Sequence, residues 1–147
     1  MKIGCVILLA GSLLQGVNAA ETIAAQSDAQ GVVLHEVVDG LKPGGAFNIV
    51  TYGSPRAVKL AELGLKEAGL QGGPVFRAAD EIRIFASRDL MQARPKARIW
   101  LNTRENAWWY HTGGEGSAED FTLQPGEVMV IVTKASTAAI AWPNPLR

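Results

Sequence analysis

Cysteine is almost absent from this chain: Cys5 is the only one in 147 residues. It lies too early, ahead of the first apolar run, to be a lipid-anchored residue. A lone cysteine excludes a disulfide framework within the chain. A charge excess of one sign is absent too, with 14 Lys and Arg against 14 Asp and Glu. That balance gives no electrostatic reason to hold nucleic acid or an anionic membrane. Past residue 14 there is no long apolar segment, so no membrane span is expected. Histidine is scarce, with two copies. No H-x-H, H-E-x-x-H or G-x-S-x-G spacing occurs, which leaves out the usual zinc-ligand and serine-hydrolase signatures.

What is present begins with a three-part N-terminus. Lys2 supplies a positive start, "IGCVILLAGSLL" (3–14) an apolar run too short to span a bilayer, and Val17 and Ala19 the small residues of a cleavage site. The pattern predicts a signal peptide over 1–19, cleaved after Ala19, with a second candidate site after Ala20. The competing reading is a buried strand leading into a phosphate loop, which needs a glycine-rich turn opening a helix within a βαβ unit. Gly11 is the single loop glycine there, and no α/β alternation follows. Removal of 19 of the 147 residues leaves 128, without Cys5 and with 13 basic against 14 acidic residues. The expected organisation is a flexible arm over 20–30 and one β-rich domain over 31–147, exported to the periplasm, the cell surface or beyond.

Short β-branched or alternating runs predict strands at "VVLHEVV" (32–38), "AFNIVTY" (46–52), "EIRIFA" (81–86), "ARIWLNT" (97–103), "AWWYHT" (107–112), "EVMVIVTK" (127–134) and "AAIAW" (138–142). In "AFNIVTY" the alternation puts Phe47, Ile49 and Thr51 on one face and Asn48, Val50 and Tyr52 on the other. "TREN" closes a hairpin over 97–112, and "AAIAW" is expected to pair back on "EVMVIVTK". "SPRAVKLAELG" (54–64) is the one credible helix. Ser54 serves as N-cap, Pro55 as first residue, Val58, Ala61 and Leu65 share a face, and Gly64 is the stop. The expected fold is mainly β: an antiparallel β-sandwich or small barrel with that helix at one end.

Two stretches rhyme. "LKPGGAFNIVTYGS" (41–54) and "LQPGEVMVIVTKAS" (123–136) share seven of fourteen positions at an offset of 82. Each shared letter has a backbone or packing reason. The leucine is an anchor, Pro-Gly fits the centre of a type II turn, and Ile-Val-Thr suits a half-buried pleat. The match ends outside these windows, so the rhyme predicts two pseudo-equivalent strands of one sheet rather than a tandem repeat. "EVMVIVT" is the strand most in need of a partner; left exposed, it would drive self-association edge to edge.

With these strands placed, "AFNIVTY", "LAELGL" (60–65), "ADEIRIF" (79–85), "WWYHTG" (108–113), "LQPGEVMVIV" (123–132) and "IAWPNP" (140–145) fall in a recognisable order. In that order the chain resembles a family of uncharacterised exported bacterial proteins. The family's motifs are a "WNLV"-like strand, a leucine-glycine helical segment, a "D-x-I/V-x-x-Y/F" strand, a "W-Y/F-x-G" strand, "PG-x-x-x-I-I" and a closing "W-x-N". Phe47 stands where the family has Trp. The resemblance implies export and a β-rich domain; it carries over no catalytic residue and no cofactor.

The residues with the most binding potential are aromatic. Trp100, Trp108 and Tyr110, with His111 in the glycine-rich loop "HTGGEGSAED", are the candidate ligand-binding set; an exposed Trp beside Tyr can stack on a sugar ring. Against this stands burial on both faces of a sandwich. Trp100 and Trp108 are the expected cross-strand partners. His35 with Glu36, and His111 with Glu115, supply metal-ligand types without ligand spacing. Asp80, Glu81, Glu115, Glu119 and Asp120 supply acids without evidence of a paired cleft. The sequence therefore predicts no catalytic or metal residues. It favours an exported structural or interaction module, self-assembling or bound to another envelope protein. A carbohydrate-binding module is the first alternative and a metal-dependent enzyme the second.

Overall fold

A computed structural model describes residues 26–27, 33–50, 52, 55–88, 91 and 94–146. The expected signal peptide, Thr51 and Ser54 lie outside these residues. Eleven strands are described: β1 (Gln26–Ser27), β2 (Val33–Glu36), β3 (Gly40–Leu41), β4 (Phe47–Val50), β5 (Val58–Lys59), β6 (Glu81–Phe85), β7 (Ala97–Asn102), β8 (Ala107–Thr112), β9 (Thr122–Leu123), β10 (Val128–Val132) and β11 (Ile140–Ala141). Seven of them form one sheet in the order β1-β2-β4-β10-β6-β7-β8; β3–β11 and β5–β9 form two small ladders. The protein is mainly β, as expected. Two expectations change. The sheet is mixed, because β2 runs parallel to β4. It is also open, with β1 and β8 at its two ends, and so is not a barrel. Gln26–Ser27, inside the stretch expected to be a loose arm, pair with β2 as β1.

Alternation sets the two faces of the sheet. Ile82, Ile84, Ile99, Met129 and Ile131 point to one side and share a core with Trp108. Onto that side pack Leu41 and Ile140 from the β3–β11 ladder, Leu123 from β9, and Leu60, Leu63, Leu65 and Trp142. The Trp142 indole N–H donates to the Leu63 carbonyl at 2.7 Å, so this large side chain is buried with its polar atom satisfied. On the opposite side Leu34, Ile49, Phe85 and Val130 form a second, smaller apolar cluster.

The helix expected over 54–64 is not formed. Val58–Lys59 instead pair with Leu123–Thr122, and Leu60–Leu63 make a single 3₁₀ turn that buries Leu60 and Leu63. The residue before this turn is Lys59, in extended conformation. A ladder on one side and a buried Leu pair at spacing three outweigh a weak α propensity. Gly64 does stop the turn, at φ 68°.

The rhyming segments are neighbours: β4 and β10 pair antiparallel at the centre of the sheet. Gly44 and Gly126 sit at φ 75° and 87°, the positive φ that the third residue of a type II turn requires. Equivalent letters nevertheless face opposite ways. Ile131 lies in the main core and Ile49 in the opposite cluster. The turns are also stapled differently. Asn48 Oδ1 accepts from Lys42 N at 2.7 Å, and the Thr133 hydroxyl donates to Lys42 O at 3.0 Å. At the second turn Glu127 Oε2 accepts from Gln124 N at 2.9 Å. The shared pattern is turn-and-strand construction repeated in two settings. β10 is paired along both sides, by β4 and β6. It therefore has no free edge, and residues 138–142 cannot pair with it as expected; Ile140–Ala141 pair with Leu41 and Gly40.

Candidate functional site

The face of the sheet turned away from the main core carries Glu81 and Arg83 on β6, Arg98 and Trp100 on β7, and Trp109 on β8. Arg83 and Arg98 are directly opposite each other across the β6–β7 ladder. Like charges in that position are destabilising, and Glu81 offsets them. Arg83 Nε and Nη2 donate to Glu81 Oε1 and Oε2 at 2.9 and 3.1 Å, and Arg98 Nε donates to Oε1. The Glu81 side chain is 4% exposed and the arginines 29%. Burial pushes the Glu81 carboxyl upward, but hydrogen bonds from Arg98 and Arg83, together with their charges, hold it below the ordinary carboxylate value. The hydrogen bond to Glu81 raises Arg98 in turn.

Beside this triad stands Phe76, in a 3₁₀ turn over Phe76–Ala78. Its ring stacks on His111 with centroids 3.7 Å apart and planes parallel, and it meets Trp100 edge-on at 6.4 Å. The Arg98 guanidinium lies 5.0 Å from the ring centre and the Lys134 ammonium 5.7 Å. Both are within cation–π range. Val75, the neighbouring residue, is 52% exposed and the one exposed large hydrophobic among the described residues.

Local rules place each of these side chains. His111 sits where the β7–β8 ladder slips: Arg98 faces Thr112 while Ile99 faces Tyr110, leaving His111 without an opposite number. A bulge of this kind re-aims a side chain. Gly113 turns the chain just beyond it at φ 90°, where a Cβ would stand 2.2 Å from the Lys96 carbonyl oxygen. The loop then folds back on β8, with Tyr110 N donating to Gly116 O at 2.9 Å and Ala118 N to Trp108 O at 2.6 Å, which covers much of that outer edge. Phe76 and Lys134 share one anchor, Asp80, which is fully buried. Its carboxylate accepts from Gln71 N at 2.9 Å, Lys134 N at 2.7 Å and the Thr137 hydroxyl at 2.5 Å. One carboxylate thus ties the loop bearing Phe76 to the turn bearing Lys134.

The four residues singled out in the sequence divide between the faces. Trp100 and His111 meet through Phe76. Trp108, 1% exposed, belongs to the main core, and Tyr110 packs against that same core, edge-on to Phe121 at 6.3 Å. Trp100 is itself buried, so the exposed ring of the set is His111. The expected pairing of Trp100 with Trp108 is off by one residue: Trp100 faces Trp109, and Trp108 faces Leu101. Glu119 accepts from Lys66 Nζ at 2.8 Å and Trp108 N at 2.6 Å. Burial raises its carboxyl, and these two bonds bring it below the ordinary value. Asp120 makes an exposed pair with Lys59. His35 on β2 and His111 on β8 are five strand spacings apart, about 24 Å. Among the described residues no group of three or more His, Cys, Asp or Glu is placed to hold a metal.

Phe76, Arg83, Arg98 and Lys134 were not foreseen from the sequence. One signal was available: Glu81-x-Arg83 and Arg98-x-Trp100 put charged and aromatic residues at alternate positions of two consecutive strands whose other positions are Ile82, Ile84 and Ile99. No family model, curated protein or solved structure matches the chain.

Proposed function

We propose that this chain is an exported, non-catalytic binding module acting at the cell envelope or outside the cell, and that the β6–β8 face around Phe76 and His111 is its ligand surface. The observation that supports this is the stack of Phe76 on His111, bracketed by Arg98 and Lys134 and flanked by exposed Val75. An isolated domain gains little by setting two arginines opposite each other beside an exposed valine. Departures from local folding rules of this kind concentrate at functional sites. Export rests on the N-terminal pattern of Lys2, the apolar run and Ala19, and on the family resemblance. N-terminal sequencing of protein recovered outside the cytoplasm should begin at Ala20; recovery only inside the cell with Met1 intact would overturn it.

Self-association through the strongest strand loses its motive, because β10 is already paired on both sides. The carbohydrate-binding alternative keeps one, since an exposed imidazole stacked on a phenyl ring offers a flat face to a sugar; it moves from Trp108 and Tyr110 to His111 and Phe76. A metal-dependent enzyme through His35 and His111 has their separation against it.

The binding reading is tested by screening neutral glycans, acidic glycans and purified envelope proteins against the wild type, Phe76→Ala, His111→Ala and the opposite-face control Tyr110→Phe. Every ligand found should lose at least about tenfold in affinity with Phe76→Ala, on the scale of a lost anchor residue, and stay unchanged with Tyr110→Phe. A ligand that binds Phe76→Ala and His111→Ala as tightly as the wild type refutes the assignment of this face.

A further inference from the structure

We infer that the β6–β8 face takes an anionic polysaccharide, with Arg98 and Lys134 receiving an oxyanion and the exposed ring of His111, seated on Phe76, receiving the face of a sugar of the same chain. The inference rests on the proposed reading of this face as the ligand surface and names its ligand class.

The charge balance points there first. Arg83 and Arg98 meet at Glu81, and Arg98 and Lys134 meet at Phe76, so three positive charges come together; among the described residues Glu81 is the carboxylate that forms ion pairs with them. Asp80, close by, is fully buried with its oxygens turned to Gln71 N, Lys134 N and the Thr137 hydroxyl; even with it counted, the cluster stays positive. This local excess occurs in a chain of net charge zero.

Donor geometry points the same way. A guanidinium has five N–H groups. Arg98 gives its Nε to Glu81, so its Nη edge is directed away from that bond and suits a second acceptor in the planar, forked fashion arginine offers to carboxylates and sulfates. Glu81 fixes both guanidiniums in advance, which lowers the ordering cost of binding. A ligand anion would also relieve the repulsion between Arg83 and Arg98.

The openness of the face decides between a small anion and a polymer. At a solvent-facing surface one charge pair is screened and contributes little. A chain that repeats its charge along its length gains through effective concentration. An acidic polypeptide also repeats its charge, but it does not present a ring face to His111 on its Phe76 seat.

The test uses the whole exported domain in affinity electrophoresis through gels containing alginate, dextran sulfate, neutral dextran or poly-glutamate. Alginate and dextran sulfate separate a uronate from a sulfate ester as the source of the oxyanion. The expected result is retardation by at least one of these two and none by neutral dextran. Lys134→Glu and Phe76→Ala should weaken it at least about tenfold, the scale of one charge-assisted contact. Lys59→Glu, which changes net charge equally on an exposed lysine of β5, should leave it unchanged. Circular dichroism of each variant confirms the fold, and Lys134→Ala serves if Lys134→Glu is unfolded. Retardation by neutral dextran that Phe76→Ala abolishes would overturn the anionic class while leaving the ligand face standing. Stronger retardation by poly-glutamate than by either polysaccharide would overturn the sugar. Equal weakening by Lys59→Glu would reduce the effect to general charge and overturn the site, as would no retardation in any gel.

Discussion

On the covered face of the sheet, Ile82, Ile84, Ile99, Met129 and Ile131 are almost wholly removed from water and interlock with Trp108. On the other face the same strands, β6 and β7 above all, carry Glu81, Arg83, Arg98 and Trp100. The first face follows the rule that burial of a large apolar side chain stabilises by about 1.5–3 kcal/mol. The second follows another rule: two arginines share one carboxylate and its rings are stacked, arrangements in which each contact contributes about 1 kcal/mol or less at a surface. Residues one step apart on a strand thus differ in kind, apolar and packed on one side, charged and aromatic on the other, where we propose that recognition takes place. If that division is right, substitutions should separate cleanly by face.

The largest effect belongs to the covered face. Trp108→Ala should destabilise by about 4 kcal/mol, from lost burial plus the cavity left behind. A urea denaturation curve checks this, and a loss under 1 kcal/mol would break the contrast. Trp108→Phe sharpens it. The indole N–H of Trp108 is buried without a partner, so removing it offsets part of the lost area, and the expected cost is about 1 kcal/mol.

Asp80 comes next, because it ties the loop bearing Phe76 to the turn bearing Lys134. Asp80→Ala leaves the Gln71 amide without its acceptor and strips the Lys134 amide and the Thr137 hydroxyl of their charged one, leaving them the longer bonds to the Thr137 hydroxyl oxygen and Gln71 Oε1 at 3.2 and 3.1 Å; the cost is about 3 kcal/mol. Amide exchange at Gln71 and Lys134 should rise well above that of β10. Exchange unchanged at both amides would mean that Asp80 does not anchor the site.

Glu81 gives a pH signature. Its folded carboxyl lies below the ordinary value of 4.5, so the folded state binds the proton more weakly than the unfolded one. The stabilisation is therefore complete above the unfolded value and is lost as pH falls from about 4.5 through the lower folded value. Glu119, also lowered, adds in the same direction. Glu81→Gln should cost about 2 kcal/mol at pH 7 through the charge-assisted bonds it removes, and should flatten the acid limb. Thermal melts between pH 7 and pH 3 that run parallel for wild type and Glu81→Gln would refute this.

The contrast also explains what could be read from the sequence. Turn chemistry was legible because it is local: Pro43–Gly44 and Pro125–Gly126 needed only φ preferences, and both glycines have the expected positive φ. The 97–112 hairpin was legible from alternation, and its register from loop length. With Thr103–Asn106 as a four-residue loop, Asn102 must face Ala107 and Trp100 must face Trp109; a Trp100–Trp108 pair would need a loop one residue shorter. The segment 54–64 is not legible locally, because its conformation comes from the pairing of Val58 and Lys59 with Leu123 and Thr122, more than fifty residues away. The same holds for the site. Phe76 reaches His111 through a buried carboxylate that also holds Lys134, a relation no window of sequence contains. Tryptophan drew attention by its size, and size is what the core takes up first.

The smallest expected effect on stability falls on the residue with one of the largest expected effects on binding. Lys134 contributes to the fold through its backbone amide, which donates to Asp80, and Lys134→Ala leaves that bond in place. What is lost is an ammonium 5.7 Å from the Phe76 ring, about 0.5 kcal/mol at a solvent-facing position. The midpoint of urea denaturation should barely move, and the slope should stay constant because no additional surface is exposed on unfolding. Removing one of three clustered cations also lowers the repulsion within the cluster, which opposes even that small loss. A drop of more than about 1.5 kcal/mol, beyond the range of ordinary surface substitutions, would mean that the side chain supports the turn over 134–137. The division between a stabilising face and a recognising face would then fail at Lys134.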